Sequence, residues 1–345
     1  MELPRKVLVG DRILDGLGEF ILDLTSEGSA LFVAGPEVKR KLGARVEDSM
    51  ASVRMAIQWY ITELSDKQDA LRVAEIASSK GVSVVVGLGG GNSVDVAKLG
   101  SFYGGKPFVS VPTSASHDGI SSPFVSMKGL EKPYSLVARP PIGIFADIDV
   151  IADAPHRLLA SGCGDLIAKI TAVRDWEIAR EEVNEYFGKY AANLALMSAE
   201  ILLDGSFHLE GIRSKEGVRE LVEALVSTGV AAGIAGSSRP CSGSEHLITH
   251  ALDQIAPGKG LHGEKCGVST ILMAKLHGLD WKDITKALES VRCPTTYAEL
   301  GLGREQVAKA VLLAPSIRED RYTILTREKL TFEDALRLMA EAEVA

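Results

Sequence analysis

Residues 84–98 read VVVGLGGGNSVDVAK. A β-branched run breaks into glycines, and the glycines lead into a capped helical pattern: strand, tight turn, helix start. Two familiar phosphate loops do not fit. A Walker A loop needs lysine directly after its last glycine, and Lys98 lies far down the helix. The dinucleotide fingerprint G-x-G-x-x-G begins well at Gly87 and Gly89 but meets Asn92 where the third glycine belongs. The physical requirement for holding an anion is met all the same. Gly89, Gly90 and Gly91 let the backbone approach a ligand with no Cβ in the way. The helix that follows offers unpaired N–H groups and a positive dipole end, with Asn92 or Ser93 as its cap.

Working outward, SALFVAG (29–35) and KPFVSVPT (106–113) read as further buried strands, and DKQDALRVAEIASSKG (66–81) as a helix stopped by glycine after Lys80. Strands alternating with helices mean crossover units and a parallel sheet covered on both faces. KPYSLVARPPIGIFADIDVI (132–151) reads as more extended structure and marks the end of that pattern. After Pro155 the texture turns helical, over 156–180, 184–205 and 215–236, with a glycine- and serine-rich loop at 235–246. The expected fold is therefore an α/β nucleotide-binding domain over 1–152, a parallel sheet with helices on both faces, followed by an all-α domain over 153–345.

Bulk properties agree. At 345 residues two domains are the better expectation. Lys and Arg number 38 against 46 Asp and Glu, a net charge of −8, which argues against a nucleic-acid partner. No membrane span or secretory leader is recognisable, so a soluble, cytoplasmic protein is expected, with no membrane insertion. The four cysteines form no C-x-x-C pair and are expected to be free, buried thiols.

A second loop, VPTSASHDGISSP (111–123), carries hydroxyls at Thr113, Ser114, Ser116, Ser121 and Ser122 and would share the carboxyl edge of the sheet with the glycine loop. The helical half adds SGCGDLIAK (161–169), SGSEHLITH (242–250) and GLHGEKCG (260–267). His246 and His250, four apart, share one helix face; His262 follows a loop that can turn the chain back; Asp165, just after two glycines, sits at an expected helix start. Such a mix suits a catalytic zinc or another divalent ion, with the Cys266 thiolate as a further conceivable ligand.

Together GGGNSVDVAK, PTSASHDG, the aspartate after GCG, and SEHLITH followed by LHGEKCG resemble the metal-dependent glycerol dehydrogenase and iron-alcohol dehydrogenase superfamily, and within it the archaeal-type glycerol-1-phosphate dehydrogenases. The resemblance spans nearly the whole chain. It implies a dehydroquinate synthase-like architecture with the active site between the two domains. Gly91, Asn92, Ser93, Val94, Asp95, Thr113, Ser114, Ala115 and Ser116 would contact the nucleotide, with Ser122 also on it. Asp118 and His250 would meet the substrate. Asp165, His246 and His262 would hold one zinc ion per subunit, with Asp165 also near the substrate, which moves His250 from the ligand set to the substrate side.

The implied reaction is reversible hydride transfer between NAD(P)H and dihydroxyacetone phosphate, giving sn-glycerol 1-phosphate, the backbone of archaeal ether lipids in membrane phospholipid synthesis. Zinc would polarise the ketone, Asp118 would orient the substrate, and His250 would relay the proton. Relatives that use NAD carry an aspartate at the end of the early strand; here that strand ends in Gly35 with Lys39 and Arg40 nearby, so NADP(H) is expected to serve as well as NAD(H). A homodimer or larger homo-oligomer is implied. Competing readings are a glycerol or polyol dehydrogenase, a cyclising lyase resembling dehydroquinate synthase, which recycles its NAD, and a non-catalytic nucleotide-binding module.

Overall fold

The structure, a computed structural model, describes residues 1–25, 28–62, 66–79, 81–127, 135–205 and 207–345. The expected helix end at Lys80 and the first three residues of the 132–151 stretch lie outside the described residues.

Among the described residues eight strands occur: β1 (Lys6–Gly10), β2 (Ser29–Ala34), β3 (Ala56–Ile61), β4 (Val82–Gly89), β5 (Phe108–Pro112), β6 (Phe124–Ser126), β7 (Ser135–Val137) and β8 (Gly143–Asp147). Six form one sheet in the order β1-β8-β5-β4-β2-β3, and all its pairings are parallel. β6 and β7 pair separately as an antiparallel ribbon. Helices α1 (Leu17–Leu24), α2 (Pro36–Ser52), α3 (Lys67–Ala77) and α4 (Gly91–Tyr103) connect the strands.

The unbroken apolar runs of β2 and β4 follow from burial on both faces. Phe32, Val84, Val86 and Leu88 pack with Leu17, Phe20, Val46 and Met50 of α1 and α2. Leu31, Val33 and Val85 point the other way, into Val73, Ala77, Val94 and Ala97 of α3 and α4. Each such side chain removed from water contributes about 1.5–3 kcal/mol. β3 has mixed burial and lies at the edge of the sheet, beyond β2.

The chain runs from β2 outward to β3 and then returns to place β4 on the other side of β2. That reversal leaves a crevice at the carboxyl ends of β2 and β4, where open parallel sheets bind ligands. The glycine loop opens into it.

Beyond β8 the described elements are all helical: α5 (Ile148–Ala152), α6 (His156–Ile167), α7 (Lys169–Val183), α8 (Lys189–Glu200), α9 (Leu209–Arg213), α10 (Lys215–Ala235), α11 (Ser244–Ile255), α12 (His262–His277), α13 (Trp281–Ser290), α14 (Arg304–Ile317), α15 (Ile324–Glu328) and α16 (Phe332–Glu341). Their core takes in Ile144 and Ala146 of β8, so it is continuous with the sheet. Several boundaries differ from the sequence reading. The 156–180 stretch divides at Ala168, and only Lys189–Glu200 of 184–205 forms a long helix. Asn184 ends α7 in the left-handed conformation, φ 54°. The 132–151 stretch is extended only in β7 and β8 and then turns into α5, whose cap is Asp147.

Candidate active site

The glycines of the opening motif do different jobs. A Cβ on Gly87 would come within 3.0 Å of Ala97 Cβ and of the Val94 backbone, so this glycine lets α4 lie close on β4. Gly89 adopts φ 155°. A Cβ on Gly91 would fall 1.8 Å from His117 Nε2, so the His117 ring rests directly against the loop. The N-cap is Gly90 rather than Asn92 or Ser93, and no side chain caps the helix. The first-turn N–H groups of α4 therefore face the crevice without a side chain of their own to satisfy them, which is what an anion requires.

A cleft of about 1200 Å³ runs from this loop to the helical half. Gly91, Asn92, Ser93, Asp95, Ser114, Ser116, Asp118, Ser122, His246, His250 and His262 all line it. The buried Ser114 hydroxyl has no hydrogen-bond partner among the described residues and lies at the glycine-loop end of the cleft. Val94 and Ala115 instead turn their side chains into the core, leaving only backbone for a ligand. Thr113 donates its N–H to the Gly89 carbonyl at 2.9 Å and so fixes the two loops together. Lys39 is engaged by Glu47 and lies 3.9 Å from the Trp59 ring centre, while Arg40 pairs with Glu37 at 2.6 Å. No carboxylate projects from the end of β2, where Gly35 lines the cleft.

At the far end of the cleft three helices converge. Asp165 lies in the last turn of α6, not at a helix start. Its two glycine neighbours stand inside the helix, where they admit close packing: a Cβ on Gly164 would be 2.2 Å from the Gly263 carbonyl oxygen, and one on Gly263 would be 1.8 Å from that of Ser161. α6 and α12 thus approach closely enough to bring Asp165 and His262 together. His246 arrives from α11. Asp165 Oδ1 is 3.4 Å from His246 Nε2 and 3.9 Å from His262 Nε2. Ligands about 2.1 Å from one tetrahedral ion stand about 3.4 Å apart. Cys266 Sγ lies 3.6 Å from His262 Nε2, and the ligand atoms of all four residues fall within 4.8 Å of one another. One carboxylate, two imidazoles and an adjacent thiol in this spacing fit a zinc-like divalent ion.

The surroundings support that fit. Glu245 Oε1 lies 2.8 Å from His246 Nδ1, and the same carboxylate accepts from the Gly243 N–H at 2.6 Å and from Thr171 at 2.7 Å. A carboxylate behind a metal-binding histidine sets its tautomer and orientation. Lys169, fully buried, bridges Asp165 Oδ2 at 3.0 Å and Asp118 Oδ2 at 2.9 Å, and the Asp118 N–H donates to Asp165 Oδ2 at 3.0 Å. Burial opposes the charges here, but Lys169 and His246 hold the Asp165 carboxyl well below its usual range. Asp118 and Asp165 likewise keep Lys169 protonated against burial. Burial and the neighbouring His246 push His262 down, and His250 to about 3, so both rings are neutral at physiological pH. Among the described residues His250 does not join the ligand cluster and its buried Nδ1 has no partner; its ring lines the cleft.

Lys169, Glu245 and His117 were not among the residues picked out from the sequence. Lys169 stands four residues after Asp165, and that i, i+4 pairing was a readable signal. Glu245 directly precedes His246 and carried none.

The iron-containing alcohol dehydrogenase family model matches residues 8–155. Across its full length the chain is 48% identical to a glycerol-1-phosphate dehydrogenase [NAD(P)+] of Nitrosopumilus maritimus, covering 96% of that protein. It is 49% identical to the one of Cenarchaeum symbiosum, again over the full chain and 97% of the relative. Among solved structures, glycerol dehydrogenase from Schizosaccharomyces pombe superimposes with a TM-score of 0.82 over 99% of this chain and 90% of that one; at 20% identity the likeness is one of fold.

Proposed function

The chain belongs to the glycerol-1-phosphate dehydrogenase family of the iron-containing alcohol dehydrogenase group, and from that premise we propose that it is an NAD(P)-linked, zinc-dependent oxidoreductase that reduces dihydroxyacetone phosphate to sn-glycerol 1-phosphate. The observation that carries the reading is the convergence of Asp165, His246 and His262 at the end of a cleft that begins at an uncapped helix N-terminus.

Asp165, His246 and His262 would hold the ion, which supplies a Lewis acid for the ketone oxygen. The nucleotide would lie along Gly91, Asn92, Ser93, Val94, Asp95, Thr113, Ser114, Ala115, Ser116 and Ser122, presenting its hydride at the metal end. Asp118, held in place by Lys169, accepts from a substrate hydroxyl and orients the ketone. His250, neutral and with Nδ1 unpartnered among the described residues, passes the proton that accompanies hydride transfer from one ring nitrogen to the other without holding a net charge. Burial of Asp165, Lys169 and His246 keeps water from the charged groups and strengthens each interaction.

This reading brings with it a cytoplasmic homo-oligomer whose product forms the backbone of ether-linked membrane phospholipids. The described residues contain no helix long and apolar enough to cross a membrane. Chiral analysis of the product tests the assignment: sn-glycerol 1-phosphate supports it, and the 3-phosphate contradicts it. Net oxidation of NAD(P)H separates this reaction from a cyclising lyase, which returns its nucleotide unchanged.

A further inference from the structure

Behind one wall of the cleft stands a group of charges that hydride transfer does not require. Ser238 and Ser242, in the loop before α11, line the cleft, as do Ser316 and Ile317 at the end of α14. Directly behind Ser238 stand two guanidinium groups. Arg321, 3% exposed, donates from Nη2 to the Ser238 hydroxyl at 2.8 Å and from Nη1 to the Ser242 carbonyl. Its buried Nε has no partner among the described residues. Arg318 reaches the same hydroxyl with Nη1 at 3.5 Å, and its Nη2 pairs with the exposed Asp320 at 2.9 Å. A third guanidinium, Arg239, is taken up by Glu185 and the Tyr322 carbonyl.

Arg239 and Arg318 are paired with Glu185 and Asp320, Arg321 has no carboxylate partner among the described residues, and Glu319 also lines the cleft nearby. Burial, together with the charges of Arg318 and Arg239, pulls Arg321 below the usual arginine value. Ser238 and Ser242, which these groups back, line the same cleft as His250.

We propose that Arg318 and Arg321, with the Ser238 hydroxyl, form the subsite that holds the phosphate of a short phosphorylated ketone. The proposal rests on the reading of this cleft as a ketone-reducing site and deepens it by assigning substrate specificity to named residues. A phosphate dianion offers several acceptors to planar, always-charged donors, the pairing for which arginine is best suited. Arg318 can exchange Asp320 for the phosphate at little cost, because an exposed pair contributes little. Arg321 cannot move, and supplies a fixed charge behind the serine hydroxyl.

The test is steady-state kinetics of the zinc-loaded Arg318→Gln and Ser238→Ala variants against wild type, with NADPH and either dihydroxyacetone phosphate or free dihydroxyacetone. In Arg318→Gln, kcat/KM for the phosphorylated ketone should fall about 100-fold, with the KM for NADPH and the slow rate on free dihydroxyacetone unchanged. Ser238→Ala should lose about tenfold on the phosphorylated ketone alone, with a lowered melting temperature because Arg321 Nη2 loses its acceptor. Inorganic phosphite should accelerate dihydroxyacetone reduction by wild type and not by Arg318→Gln. Wild-type kinetics in Arg318→Gln, or equal losses on both ketones, would overturn the subsite while leaving the reduction intact. A wild-type enzyme inert towards dihydroxyacetone phosphate would instead overturn the reaction itself.

Discussion

Glu245 shows how much of this site depends on residues that never touch the substrate. Its carboxylate holds the Nδ1 side of His246, so Nε2 faces Asp165. Glu245→Gln should weaken metal affinity by about 10- to 100-fold, read by chelator competition, with the fold retained. His250 gives a second test. Burial pushes its pKa from the ordinary imidazole value of 6.5 down to about 3, so the unfolded chain binds a proton in that interval that the folded one refuses. Its contribution to stability is therefore complete above pH 6.5 and is lost as pH falls towards 3. The metal-loaded His250→Gln variant should show a shallower loss of urea resistance from pH 7 to pH 5 than wild type, by up to about 1.4 kcal/mol per pH unit. At this scale the sequence was informative where spacing encodes position: His246 and His250 share a face, and both line the cleft. It was silent where a role arises only from contact across the chain, as when Lys169 reaches Asp118, a residue 51 positions earlier in a different half of the fold.

Among the secondary-structure elements, the decisive contact is between α6 and α12. Glycines that suggested a turn before Asp165 are helix residues that let two backbones meet. Helical glycine and loop glycine look alike in a sequence, because the partner that makes glycine necessary lies about 100 residues away. Gly263→Ala should cost about 1–3 kcal/mol or more and should also lower metal content, since it drives His262 away from Asp165. Gly16→Ala, which meets nothing within 4 Å, is the control, and thermal melting with metal analysis reads both. The central strands were legible for the opposite reason. β2, β4 and β5 are buried on both faces and read as unbroken apolar runs. The edge strands β1 and β3 were not recognised: β1 offers only the short run Val7–Val9 between Lys6 and Gly10, and in β3 the exposed Ala56 and Gln58 interrupt the apolar residues.

For the molecule as a whole, the sheet's reversal between β2 and β4 sets one end of the cleft and the α6–α11–α12 junction sets the other. Nucleotide choice is decided at the first end. Lys39 and Arg40 are already paired with Glu47 and Glu37, so tolerance of a 2′-phosphate follows from the missing carboxylate after β2. NADH and NADPH should both be used, with KM values within about 100-fold of each other, and Lys39→Ala should leave their ratio unchanged.

Substrate choice is decided at the second end, and one assay addresses it. The protein is stripped with a chelator, zinc is restored, and NADPH oxidation is followed with dihydroxyacetone phosphate beside free dihydroxyacetone. Zinc-dependent oxidation that strongly prefers the phosphorylated ketone is the predicted result. Zinc-dependent turnover of the free ketone at an equal or higher rate would contradict it and mark the protein as a polyol dehydrogenase.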